Sequence, residues 1–205
     1  MPAIQPTVYP DRRTRGQQQR RERIYAAAVE LIVERGFESC TMDEIAERAD
    51  VARATVFNLF ERKTAFLDEW SRLRRQSAFD AVLEHRHHDQ SLREGLGRYF
   101  VELARLSEES RTESVAFMRA AVDNTSLLRR PALATQLETL LADAESAGVL
   151  AADVDISLTA LTLATGYFAV LTAWIDDGPT PFDLHQRLIL LLDMILDGVL
   201  EHSCQ

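Results

Sequence analysis

After residue 16, nearly every segment of this chain places its apolar residues at helical spacing. No stretch alternates with period 2 for long enough to build a sheet. That periodicity restricts the fold class to all-α. The chain has 205 residues, 46% of them hydrophobic and 27% charged. This length suits one large domain or two small ones, and the composition excludes a disordered chain. The clearest helix signals lie near the N-terminus. Ile24, Ala27, Ala28, Leu31 and Ile32 share one face of a first helix expected from Gln18 to Arg35. Gly36 supplies a left-handed stop, with Phe37 as its apolar contact. Thr41-Met42-Asp43-Glu44 then reads as a capping box opening a second helix, with Ile45, Ala46 and Ala49 on its buried side. Asp50 stands at the stop, because Asp tolerates the left-handed conformation better than most residues. A third short helix follows from Ala52 to Leu59, with Val56, Leu59 and Phe60 inward and Arg53, Ala54, Phe57 and Asn58 outward.

Two short helices joined by a tight turn and docked on a longer one form a helix-turn-helix arrangement. Entry of the third helix into a major groove needs a polar or small outer face. Arg53 offers a bidentate pair to a guanine edge, and Asn58 offers one to adenine. Ala54 permits close approach, Thr55 can donate to a phosphate, and Lys63 just past the helix can anchor another.

The charge pattern adjusts a first impression. The formal net charge is −9, which counts against nucleic acid for the chain as a whole. Residues 1–63, however, carry a net +1, and residues 64–205 carry −10. Arg12, Arg13, Arg15, Arg20, Arg21 and Arg23 make the N-terminus locally basic. Residues 1–16, with Pro2, Pro6, Pro10 and Gly16, read as a flexible basic arm that reaches a DNA backbone or minor groove, or else stays a solvated tail.

The segment from Arg23 to Trp70 resembles the DNA-binding domain of the TetR family of bacterial transcriptional regulators. The resemblance lies in an Ala-rich first helix ending in Gly36-Phe37, followed by Thr41, Ile45-Ala46, Val51, Thr55, Phe57, Phe60, Lys63 and Phe66-Leu67. It implies that Thr41, Arg53, Ala54, Thr55, Phe57, Asn58 and Lys63 fall on DNA-contact positions. It also implies a homodimer on an inverted-repeat, double-stranded operator, with a larger helical domain that binds a small-molecule effector and dimerises. A repressor released by that effector is the family's usual form. The chain departs from the pattern at Asp50, where Gly is usual, at Ala52, where Ser often caps, and at Phe57, where Tyr often contacts phosphate. Lys63 is the one Lys beside 22 Arg, which suggests a need for a compact ammonium.

The expected organisation is a basic arm over 1–16, a helix-turn-helix domain over 17–66, and a ligand-binding and dimerisation domain over 67–205. In the last, helices are expected over 64–89, 91–108 and 111–124. Others are expected from Pro131 to near Gly148, over Val154–Asp176, and over Pro181–His202. Apolar residues cover more than half of the final helix, so it must bury two faces, one of them against a partner subunit together with the preceding helix. The expected dimer interface is Leu163, Tyr167, Leu171, Leu188, Leu192, Ile195, Leu196 and Val199, a four-helix contact between subunits. Tyr99, Phe100, Phe117, Met118, Tyr167, Phe168 and Trp174 are candidate walls for a mostly hydrophobic effector.

Other classes find little support. No G-x-S-x-G, H-E-x-x-H, G-x-x-x-x-G-K-[ST] or G-x-G-x-x-G motif is present, so no enzymatic activity and no cofactor are expected. A helical small-molecule-binding protein or enzyme with a merely structural helix-turn-helix is the alternative. His85, His88 and Asp89 share a helix face, but a solvated helix end explains them more simply than a metal site. Cys40 and Cys204 read as free thiols of a cytoplasmic protein, and Cys40 as a redox sensor lacks a nearby resolving cysteine. The stretch Val154–Ile175 is long and apolar, yet it contains five hydroxyl residues and no flanking cations, so a buried core helix is expected rather than a membrane span.

Overall fold

The computed structural model describes residues 12–84, 91–124, 132–151, 153–176, 178 and 182–197. Among the described residues the regular structure is entirely helical, in the order α1 (Arg12–Arg35), α2 (Met42–Arg48), α3 (Arg53–Leu59), α4 (Ala65–Glu84), α5 (Leu92–Glu109), α6 (Arg111–Asn124), α7 (Ala132–Ser146), α8 (Ile156–Asp176) and α9 (Leu184–Leu196). The chain divides into two compact units, Met1–Phe66 and Leu67–Gln205.

The first unit is built around the apolar face of α1. Ile24, Ala28 and Ile32 are fully buried, together with Ile45 from α2 and Val56 from α3. Gly36 adopts φ +82, and its amide donates to the Ile32 carbonyl at 2.9 Å, ending the helix where a side chain would be strained. Phe60 and Phe66 stack with ring centroids 4.3 Å apart and close the base of the unit. One boundary differs from expectation. α1 begins at Arg12 rather than Gln18, so residues 12–16, expected in the flexible arm, are helical. Asp11, a residue type favoured at helix N-caps, directly precedes this start, and the Arg and Gln residues around Gly16 are strong helix formers. Residues 1–11 lie outside the described residues.

In the second unit α7 packs on α8, α5 on α9, and α8 on α9. Gly166 sits where α8 and α9 approach closely. A Cβ there would lie 2.9 Å from Leu191 Cδ2. Arg93 of α5 pairs with Asp193 and Asp197, tying α5 to α9. At the end of α8, Arg111 donates to the Trp174 and Gly178 carbonyls and lies 4.2 Å over the Trp174 ring. It thereby supplies acceptor-side partners that a helix C-terminus otherwise lacks. By length and composition α8 could cross a membrane. In the structure Ala160, Leu163, Ala164, Phe168 and Leu171 of α8 are buried among the helices of this unit.

Candidate nucleic-acid interface and effector cavity

α2 opens with the capping box. The Thr41 hydroxyl accepts from the Glu44 amide at 3.2 Å and donates to the Glu44 carboxylate at 2.8 Å, and that carboxylate also accepts from the Thr41 amide at 2.9 Å. These bonds hold the Glu44 carboxyl below its ordinary 4.5. The turn between the helices depends on Asp50, the non-glycine residue with positive φ (51°) among those described. Ala52 occupies the N-cap of α3 with no side-chain cap bond, as its lack of a hydroxyl dictates.

α3 presents Arg53, Ala54, Phe57 and Asn58 to solvent, while Thr55 is half-buried. The Arg53 guanidinium is held from two sides. Its Nε lies 2.8 Å from Asp43 Oδ1, and its carbon lies 5.4 Å from the Phe57 ring centre. Both partners of the ion pair are exposed, so it restricts the side chain without contributing much stability. This gives Phe57 a role that needs no hydroxyl: its face steadies the Arg53 guanidinium. Lys63 is placed differently from a simple phosphate anchor. Its ammonium donates to the Phe37 carbonyl at 2.7 Å and the Glu38 carbonyl at 3.3 Å, and lies 4.4 Å over the Phe37 ring. Two of its three donors thus close the turn after α1.

Sequence patterning did not mark Arg21 and Arg23 as structural. Arg21 donates to the Leu59 carbonyl at the end of α3 at 2.8 Å and lies 4.3 Å over the Phe60 ring. Arg23 approaches the Asp50 carbonyl at 3.5 Å. Arg48 pairs with Glu30 and Glu34 on α1, and Arg35 pairs with Glu44. Several cations of the basic segment are therefore engaged by the unit's own carbonyls and carboxylates. Cys40 is buried, and that burial pushes its thiol up, the opposite of what a reactive thiol requires.

In the second unit a cavity of about 370 Å³ lies between the end of α4, the start of α5 and the last turns of α7. Its walls include Phe79, Val82, Leu96 and Leu140, with Tyr99 and Gln136 as a polar pair and Asp143 as a carboxylate. The Tyr99 hydroxyl donates to Gln136 Oε1 at 3.2 Å. All seven aromatic and Met candidates for the effector wall are buried. Of these Tyr99 lines the cavity; Met118, Tyr167 and Phe168 surround a separate void of only about 10 Å³, and Phe100, Phe117 and Trp174 line neither. The cavity forms where small side chains, Gly95, Ala144 and Ala147, face larger ones, a match between distant segments that periodicity does not reveal. His85, His88 and Asp89 lie outside the described residues. Among those described, no group of three or more His, Cys, Asp or Glu is arranged to hold a metal ion.

Residues 24–70 match the sequence model of the family described as bacterial regulatory proteins, tetR family. The same helix order extends over nearly the whole length of a solved member: the chain superposes on FadR from Thermus thermophilus, a TetR-family transcriptional repressor solved with lauroyl-CoA, with a TM-score of 0.72 and 26% identity, covering 90% of this chain and 97% of that one. Residues 24–70 carry the TetR-family sequence pattern, and the chain shares the fold of TetR-family regulators.

Two further likenesses were found. SmeT, the repressor of a Stenotrophomonas maltophilia multidrug efflux pump, superposes with a TM-score of 0.67 at 21% identity, over 89% of this chain and 91% of SmeT, a likeness of fold. The Bacillus subtilis regulator YdeS, an uncharacterised helix-turn-helix protein, is 43% identical over 44 residues, which are 22% of each chain. The match to the curated relatives therefore spans only about a fifth to a quarter of their length.

The apolar surface of the last two helices differs from expectation. Leu163, Tyr167, Leu171, Leu188, Leu192 and Leu196 are buried inside the chain's own core, where α9 meets α5 and α8 meets α7. Ile195 is half-buried, and Val199 lies outside the described residues. The apolar residues left to solvent on these helices are Leu158 (59% exposed), Leu161, Leu190 (59%) and Met194 (70%). On α9 that set is offset by two residues from the expected one, about 200° around the helix.

Proposed function

We propose that this chain is a transcriptional regulator that binds an inverted-repeat operator as a homodimer in the cytoplasm, with α3 in the major groove. The observation that carries the reading is the outer face of α3. Arg53 is exposed and oriented by Asp43 and Phe57, beside the small Ala54 and the exposed Asn58. That face matches direct readout, one bidentate cation for guanine and one amide for adenine. Thr41, Thr55, Phe57 and Lys63 then border the backbone and set the register. The Arg-rich start of α1 adds phosphate contacts near the same duplex.

The second unit, in this reading, receives a small, mostly apolar effector and carries the dimer contact. The cavity volume falls in the range of small-molecule sites, and the solvent-facing Leu158, Leu161, Leu190 and Met194 provide an apolar surface for a second copy. An effector that binds better to a state with altered half-site spacing lowers operator affinity by its differential affinity for that state. Release of a repressor is the form this takes in the reading. Selection of bound duplexes from a random library, at several salt concentrations, tests it. An enriched inverted repeat with half-sites about one helical turn (~34 Å) apart is expected. A selection without any enriched repeat would refute it.

A further inference from the structure

We propose that the cavity between α4, α5 and α7 takes a cationic amphiphile, with its apolar body among Phe79, Val82, Leu96 and Leu140 and its positive head at Asp143. The proposal rests on the effector reading above and names the class of molecule. The first support is the charge of the wall. Among the described lining residues no Lys or Arg appears, and Asp143 is the carboxylate. Asp143 is exposed, so it stands at the mouth, where a charged head keeps part of its hydration. It has no ion-pair partner among the described residues, so no cation has to be displaced.

The second support is the polar pair. Tyr99 is fully buried, its phenol held neutral because burial pushes its pKa up, and its hydroxyl is bonded to Gln136. A carboxylate or phosphate driven to that depth would lose water and meet no cation among the described wall residues, which is costly. The closest guanidinium in influence is Arg75, which acts on Tyr99 electrostatically. It lines the separate small void and donates to the Ser71 hydroxyl at 2.5 Å instead. The third support is the field of the surrounding chain. Residues 64–205 carry a net −10, which raises the local concentration of cations and lowers that of anions.

Calorimetric titration of the full-length protein with decylammonium, decan-1-ol and decanoate, at neutral pH and low salt, tests the class with the apolar body held constant. Decylammonium should bind about two- to fivefold more tightly than decanol, the range open to an exposed charge pair. Decanoate should bind more weakly than either. Asp143→Asn should remove the ammonium advantage, and Asp143→Lys should bring decanoate ahead of decylammonium. Both substitutions are on an exposed position, so folding is unaffected. Leu140→Trp, which fills the cavity, should weaken all three ligands while helix content stays the same. Tightest binding of decanoate to the unaltered protein, or an order that both Asp143 variants leave unchanged, overturns the proposal. Operator affinity is measured separately. If the ligand order holds but decylammonium leaves DNA binding unchanged, the effector reading falls and the cavity's ligand class stands.

Discussion

Lys63 offers a sharp test, because the resemblance assigns it to phosphate and the structure gives it two backbone carbonyls. Lys63→Met keeps the apolar stem and removes the ammonium. The lost bonds are one of 2.7 Å to the Phe37 carbonyl and one of 3.3 Å to the Glu38 carbonyl, together with the cation over the Phe37 ring at 4.4 Å. A hydrogen bond to a charged group contributes about 1.5–3 kcal/mol, less where solvent competes, and a partly exposed cation–π contact about 0.5–1 kcal/mol. The first unit should therefore lose about 2–3 kcal/mol. In a domain of this size that corresponds to a fall of roughly 10–20 °C in its melting transition. Lys63→Arg should fall between, since a planar fork cannot place one nitrogen on both carbonyls. Calorimetry gives the transition, and segment-resolved hydrogen exchange assigns it to α2 and α3. DNA affinity measured below the transition separates the two roles. If Lys63→Met melts like the parent chain while the salt dependence of DNA binding drops by about one phosphate, the capping argument is wrong and the phosphate anchor is right.

Arg53→Ala should relax base preference and cost about 1–3 kcal/mol in operator affinity, read by repeating the duplex selection; an unchanged preference removes Arg53 from the contact set. Thr41→Ala should cost about 1 kcal/mol of stability by breaking the capping box. Because Glu44's folded pKa lies below its ordinary 4.5, the box stabilises above that value and is lost as pH falls below it. The acid limb of a stability–pH curve should therefore be shallower in the variant, and parallel limbs would contradict this. Gly97→Ala should raise the melting temperature, since its Cβ meets Ile189 and Leu192 at an ordinary 3.9 Å and Ala gains about 1 kcal/mol of helix propensity. Gly166→Ala should gain less than Gly97→Ala, because a Cβ 2.9 Å from Leu191 Cδ2 forces that half-buried side chain to shift and offsets the propensity gain; the reverse order would refute the close α8–α9 crossing. Leu190→Asp with Met194→Asp should shift sedimentation from dimer to monomer, whereas a double variant that remains dimeric would place the interface elsewhere.

The parts of this fold that sequence reveals are those governed by contacts three or four residues apart. Gly36, the Thr41–Glu44 box and the Ala49–Ala52 turn are written in local chemistry, and each appears where the pattern puts it. The start of α1 is less plain, because Gly16 and the prolines before it read as an arm, while Asp11 and the Arg and Gln residues that follow favour a helix. The residues expected at a dimer contact illustrate a deeper limit. Periodicity shows that α9 is apolar on two sides, but not which side its own chain occupies. Leu188, Leu192 and Leu196 repeat every four residues as an inner face should, and so does the pair Leu190 and Met194 on the outside. Only the packing of α5 against α9 decides between them. The cavity is likewise an arrangement of absences, since the large aromatics that invite selection as ligand walls are those most completely absorbed by the core.

On the proposed reading, the charge distribution gives a reason for two heads to bind DNA together. The head carries a net +1, and Arg21, Arg35, Arg48 and Lys63 engage its own carbonyls and carboxylates. One head therefore has fewer cations to offer phosphates than its sequence suggests, and each phosphate contact contributes about 0.9 to the salt slope on duplex DNA. The acidic remainder of the chain opposes approach by any other face. A single head would bind weakly and with little salt dependence, while two heads in register would double the contacts and add two sets of base readout. On this reading the separation of the heads controls affinity more strongly than any one contact does. A dimer-breaking change should therefore reduce operator affinity by a larger factor than Arg53→Ala, although it touches no residue near the DNA.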